Sequence, residues 1–140
     1  MRLELYQAET ARIAAEQSAI LQSARNIIFS GRALTALEQG GVLHALQIII
    51  ENAIGKAKHW IKVREQVVPV SGYEAFKLLA NNGLVAQEDL PAWNALIGLR
   101  NRIVDDYMNI DIDQVLEIVR DGREQFLIDF LLREYSRTTL

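Results

Sequence analysis

Val42-Leu43-His44-Ala45-Leu46-Gln47-Ile48-Ile49-Ile50-Glu51-Asn52-Ala53-Ile54-Gly55-Lys56-Ala57-Lys58-His59-Trp60-Ile61-Lys62-Val63 decides the fold class. Leu46, Ile49, Ile50, Ala53, Ile54, Ala57 and Trp60 recur at the steps of three and four that bring side chains to one face of an α-helix. The spacing predicts a well-buried helix from Val42 to about Val63. It begins beyond the flexible pair Gly40-Gly41, and Gly31, Gly40 and Gly41 read as helix ends and a turn. Upstream, Tyr6, Ile13, Ile20 and Ile27 repeat every seventh position, with Ala14, Leu21, Ala24 and Ile28 filling the same stripe, which predicts one long amphipathic helix over residues 1–30.

Downstream, Val67-Val68-Pro69-Val70 is short, extended and interrupted by proline. Ser71-Gly72-Tyr73-Glu74 has capping-box spacing for a short helix that ends near Asn81-Asn82-Gly83. Asp89, with Pro91 two residues on, reads as the start of another helix. Its stripe carries Leu90, Trp93, Leu96, Ile97, Arg100, Ile103, Val104 and Tyr107. Asp111 to Gln114 is again capping-box spacing, opening a last helix with Ile112, Val115, Leu116, Val119, Phe126 and Phe130 on its inner side. The tail after Tyr135, residues 136–140, is expected to fray. No stretch sustains the period-two alternation of a sheet, so the expected fold is all-α, a bundle of about five helices in one domain spanning 1–140.

A chain of 140 residues, 50% apolar and 24% charged, has the balance of an ordinary globular domain. No stretch approaches the roughly 18 uninterrupted apolar residues of a membrane span, and Met1-Arg2-Leu3-Glu4 lacks the apolar core of a signal peptide, which points to the cytoplasm. Cysteine is absent, which removes thiol nucleophiles, thiolate-held zinc and disulfides together. A net charge of -3 gives no general attraction for nucleic acid, so any RNA contact needs a locally basic site, such as one assembled between subunits.

The unusual chemistry lies in Leu99-Arg100-Asn101-Arg102-Ile103-Val104-Asp105-Asp106-Tyr107-Met108-Asn109-Ile110-Asp111, where charged and polar residues crowd the end of an apolar helix. From the residues alone, Arg100 can simply pair with a carboxylate while Tyr107 packs with its hydroxyl bonded. A second reading comes from resemblance. Arg100-Asn101, position 105, Tyr107 and Ile110-Asp111 look like the Arg-Asn-x-x-x-His-x-Tyr signature of HEPN-domain proteins of the HepT toxin type. Ser71 to Ala80 with Asn82-Gly83 resembles that family's short helix, and Val42 to Ile61 the long helix before it.

That resemblance implies an HEPN-like domain acting as the toxin of a type VII-like toxin–antitoxin pair, a metal-independent endoribonuclease without cofactor. It further implies a homodimer that brings two motif copies to one cleft, an RNA substrate, and an MntA-like nucleotidyltransferase antitoxin as partner. In this scheme Arg100, with Asn101 beside it, binds the scissile phosphate, and Arg102 adds an RNA contact. The family's histidine moves protons at the ribose 2'-hydroxyl or the leaving oxygen. Here that position holds Asp105. A carboxylate ionised at neutral pH accepts a proton but donates poorly, and its charge opposes the phosphate, so weak or absent cleavage is expected. It marks either a naturally silenced member or an inactivating replacement. Tyr107 corresponds to the tyrosine on which the antitoxin places adenosine monophosphate. If the helix continues that far, Tyr107 shares a stripe with Arg100, roughly 10 Å along the axis. The alternative reading is a non-catalytic, substrate-binding partner subunit of a two-chain nucleotidyltransferase.

Other candidates are weaker. His44 and His59 are too far apart on one helix for a metal pair, Asp111 and Asp113 lack a calcium loop, and no metal is assigned. Trp60 and Trp93 read as core or interface anchors. Glu51, which interrupts the apolar run from Ile48 to Ile54, either approaches the cleft or is solvated.

Overall fold

A computed structural model describes residues 3–65 and 67–134, which form six α-helices and two short 3-10 turns, with no strand among the described residues. The expected fraying at 136–140 lies outside them. Helix α1 covers Leu3–Phe29 and ends where Gly31 takes φ 85°, a conformation that favours glycine. Its inward face runs through Thr10, Ala14, Leu21 and Ala24, whereas Ile20 is exposed. The seven-residue repeat therefore misplaces the stripe slightly, because a straight helix of 3.6 residues per turn drifts away from a line of every seventh residue.

Helix α2, Ala36–Glu65, is the central element, with α1, α3, α4 and α6 all packed against it. It starts earlier than the sequence suggests and runs straight through Gly40-Gly41. Thr35 Oγ1 accepts from the Glu38 amide at 3.1 Å and Glu38 Oε1 accepts from the Thr35 amide at 2.8 Å, a complete capping box upstream of the glycines. That cap, together with burial of Val42 and Leu43 just beyond, outweighs the roughly 1 kcal/mol that each helical glycine costs relative to alanine. Open space surrounds the Cβ position of Gly40, so Gly40→Ala is expected to stabilise the fold by about 1 kcal/mol in urea denaturation. Gly122→Ala, at φ 68°, should cost about the same.

Helix α3, Gly72–Asn81, opens as expected: Ser71 Oγ accepts from the Glu74 amide at 3.1 Å, and Glu74 Oε2 accepts from the Val70 amide at 2.9 Å. Its first turn lies on Ile54, where a Cβ on Gly72 would come within 3.0 Å of the isoleucine, while Asn82 at its far end bonds Arg64 and Glu65. The Val67–Val70 strap thus carries the chain back along α2, and α3 then runs in the same direction as α2.

Helix α4, Leu90–Asp105, has Pro91 in its first turn, but Asp89 makes no side-chain cap and is the last residue of a 3-10 turn at Gln87–Asp89. The single last helix expected from sequence is two, α5 Ile112–Arg120 and α6 Gln125–Leu132. Gly122 in the left-handed region ends α5, with the Arg123 amide bonded back to the Ile118 carbonyl at 3.0 Å. The break lets buried Glu124 pair with Arg25 of α1, whose Nε also donates to the Val119 carbonyl at 2.8 Å. Burial nevertheless raises the Glu124 carboxyl above the usual carboxylate range.

Phe76, Trp93, Phe126 and Phe130 join α3, α4 and α6 in the core, with Phe76 stacked on Trp93 at 4.0 Å and Phe126 edge-on to it at 4.8 Å. Trp60 and Trp93 are core anchors, as their spacing suggests. No helix among the described residues is long and apolar enough to cross a membrane.

Candidate functional site

Arg100 and Asn101 project from α4 into a groove of about 440 Å³ between α2, the start of α3 and α4, lined also by Glu51, Lys58, Ser71 and Tyr73. Arg100 Nη2 lies 3.2 Å from Glu51 Oε2, and Gln47 Nε2 donates to the other carboxylate oxygen at 3.0 Å. Arg100 Nη1 donates to Asn101 Oδ1 at 3.1 Å. Glu51 thus approaches Arg100, and the carboxylate partner that sequence allowed for Arg100 is Glu51. The pair is about one-third exposed on each side, so solvent screens it. Arg100 Nε is buried without an acceptor among the described residues.

Arg102 lies one helical turn beyond Gly98. Its Nη1 and the Tyr73 hydroxyl approach the same point, 3.8 and 3.7 Å from where a Cβ on Gly98 would stand. Among the described residues, neither Arg102 nor Lys58 has an ion-pair partner. Asp105 is the last residue of α4 and is exposed.

The helix stops there. Asp106 leaves helical geometry at φ -147°, ψ 43°, and Asn109 Nδ2 donates to its carboxylate at 2.6 Å. Tyr107 therefore sits in a 3-10 turn, Tyr107–Asn109, with 52% of its surface exposed, and does not continue the Arg100 stripe. The physical cause is electrostatic and local. Consecutive aspartates at a helix C-terminus face the negative end of its dipole, and Asp106 gains a side-chain bond by leaving the helix. Val104 is likewise exposed.

The motif residues consequently fall into two groups. Arg100 and Asn101 line the groove, whereas Arg102, whose guanidinium lies toward the Tyr73 hydroxyl over Gly98, and Asp105 and Tyr107 at the end of α4 stand outside its lining. Sequence reasoning missed Lys58 and Tyr73. A signal for Lys58 existed, since it follows Glu51 by seven positions on one helix, the spacing of a shared face.

Asp111 caps α5 as its spacing suggests, accepting from the Asp113 and Gln114 amides at 3.1 and 3.4 Å. His59 stacks on Tyr6 at 4.2 Å, and burial lowers its pKa; His44 is exposed, and neither lines the groove. Among the described residues no three His, Asp or Glu side chains cluster as a metal site would require.

A family model described as ribonuclease HepT-like matches residues 15–133. The chain is 33% identical over 88 residues to a curated protein named mRNA nuclease HepT from Shewanella oneidensis, a match covering 63% of this chain and 66% of that relative, just under two thirds of its length. A solved toxin–antitoxin structure with AMP-PNP superposes with a TM-score of 0.75 at 24% identity, over 90% of this chain and 97% of that one. A tri-AMPylated Shewanella oneidensis HEPN toxin in complex with MNT antitoxin gives 0.65 at 27% identity, over 85% and 96% respectively.

Proposed function

The chain belongs to the ribonuclease HepT-like family, and from that premise we propose that it is the toxin of a toxin–antitoxin pair, an RNA-cleaving HEPN protein attenuated by Asp105 and regulated through Tyr107. The observation that carries this reading is Arg100, held at the groove by Glu51 and Asn101 with its Nε–H still unpartnered. A guanidinium so placed can turn from Glu51 to a phosphate and offer it a planar pair of donors. Arg102 extends the positive charge along α4, and Asp105 occupies the position of the proton-transfer group.

The relative named as an mRNA nuclease supports RNA as substrate, and the structural neighbours named as toxin–antitoxin assemblies support an MntA-like nucleotidyltransferase as partner. Two copies would meet beside the end of α4, where Val104 and Met108 expose 46% and 91% of their surfaces, in an arrangement that leaves Tyr107 open to a modifying enzyme. Cytoplasmic action and a single domain over 1–140 belong to the same proposal. The alternative, a non-catalytic partner subunit of a nucleotidyltransferase, draws its support from Asp105 alone.

Tyr107 suits a modifying enzyme because it stands on an exposed turn and not within the helix face. Adenylylation there would bring a phosphodiester and a bulky nucleoside to the end of α4, close in sequence to Arg102 and Asp105. Incubation with the cognate nucleotidyltransferase and ATP is expected to add one or more adenylate units by intact-mass measurement, and Tyr107→Phe to abolish the gain. An equal gain on the phenylalanine variant would remove Tyr107 from the mechanism.

A further inference from the structure

The groove beside Arg100 is larger and differently furnished than a contact to one phosphate requires. At about 440 Å³ it has the capacity of a small-ligand site, and across it from Arg100 stand Lys58 of α2 and Tyr73 of α3. Tyr73 is 41% exposed although it sits among packed helices. Its hydroxyl and the Arg102 guanidinium converge over Gly98, where the missing side chain leaves α4 bare. Lys58 and Arg102 are both without ion-pair partners among the described residues, on a protein whose net charge is -3. An unpaired cation, Lys58, an exposed aromatic ring and an amide side chain lining one groove, with Arg102 just beyond the Tyr73 hydroxyl, match a single-stranded nucleic acid, whose phosphates seek cations and whose bases stack on rings.

We propose that this groove seats the nucleotide next to the scissile phosphate, with Lys58 holding the neighbouring phosphate and the Tyr73 ring serving as platform for its base. Both are positioning residues; neither takes part in bond making. The inference rests on the RNA-cleaving reading above and deepens it, by giving the site a second phosphate contact and a tolerance for any base. Stacking is open to every base, whereas hydrogen-bond readout would select one.

The test uses the chain as it stands, since Asp105 limits consumption of the probe, and follows a labelled single-stranded RNA oligonucleotide by fluorescence anisotropy. Tyr73→Leu should weaken binding about tenfold, and Tyr73→Phe, which keeps the ring, should recover most of it. Lys58→Gln should weaken binding several-fold and reduce the slope of log affinity against log salt by about 0.7. Arg100→Gln reports on the underlying reading. If RNA binds and Arg100→Gln weakens it while the Lys58 and Tyr73 variants leave affinity and salt slope unchanged, the groove assignment fails and the nuclease reading survives. If the chain binds no RNA at all, both fail. Unchanged RNA affinity with loss of binding to the nucleotidyltransferase in the Lys58 or Tyr73 variants would overturn the inference and give the groove to a protein partner.

Discussion

Asp105→His is expected to raise RNA cleavage by at least about a hundredfold, the lower end of what a positioned acid–base group contributes. The place of residue 105 is the reason. It is the last residue of α4, where the unpaired carbonyls carry the negative end of the helix dipole. A carboxylate there is disfavoured and repels the phosphate that Arg100 would hold. An imidazole there has its protonated form stabilised by the same dipole, which makes it a competent proton donor near neutral pH. The substitution should therefore also add a few tenths of a kcal/mol to stability. Purified Asp105→His is expected to cut a labelled transcript and to arrest growth when expressed, and adding Arg100→Ala should abolish both. Asp105→Asn removes the charge without supplying a proton-transfer group, so it should gain little. Were Asp105→His as inert as the parent chain, the non-catalytic partner reading would replace the nuclease.

The helices on either side of this position were readable from sequence because local and tertiary forces agree there. Ser71 and Asp111 cap the helices their spacing implies, and the run from Val42 to Val63 is buried along one face. Legibility failed where local preference and packing compete. Gly40-Gly41 resemble a turn by propensity, yet the Thr35–Glu38 box and the buried residues beyond them keep α2 continuous. Leu116 and Val119 before Gly122, and Phe126 and Phe130 after it, keep helical spacing across a real break, so periodicity alone bridged α5 and α6.

The candidate site divides similarly. Arg100 and Asn101 stand in one motif and were legible from it. Their groove needs Glu51 and Lys58 from α2 and Tyr73 from α3. Those residues meet only because Gly72 lets α3 lie on Ile54 and the strap returns the chain along α2. No local pattern encodes that approach. Tyr107 was misplaced because the end of α4 is decided by Asp106, whose bond to Asn109 is invisible to an apolar-stripe argument.

The largest stability effect is expected at a residue outside the motif. Lys56 lies within the apolar run of α2, shares its face with Ile49, Ala53 and Trp60, and is fully buried. Its Nζ donates to the carbonyls of Phe130 at 2.6 Å, Leu131 at 3.4 Å and Arg133, and sits 4.9 Å from the centre of the Phe130 ring. These are carbonyls at the C-terminal end of α6, which have no partner within their own helix. Lys56 thus fastens α6 to α2 as a buried cap. Lys56→Met keeps the volume but removes the donor from the Phe130 and Arg133 carbonyls and leaves Leu131 with the Gln7 side-chain amide alone, which donates to it at 3.2 Å, at an expected cost of about 3 kcal/mol and a fall in Tm on the order of 10 °C. Burial, and then the nearby Arg133 guanidinium, pull the Lys56 pKa down to about 7 from an ordinary 10.5. Between these values the unfolded chain binds a proton that the folded chain has released, so the Lys56 contribution to stability grows as pH rises through that window and is smallest below it. The cost of Lys56→Met in urea denaturation should accordingly be larger at pH 9.5 than at pH 6.5. An equal cost at both would mean that the three carbonyls hold the ammonium charged throughout, with hydrogen bonding outweighing burial.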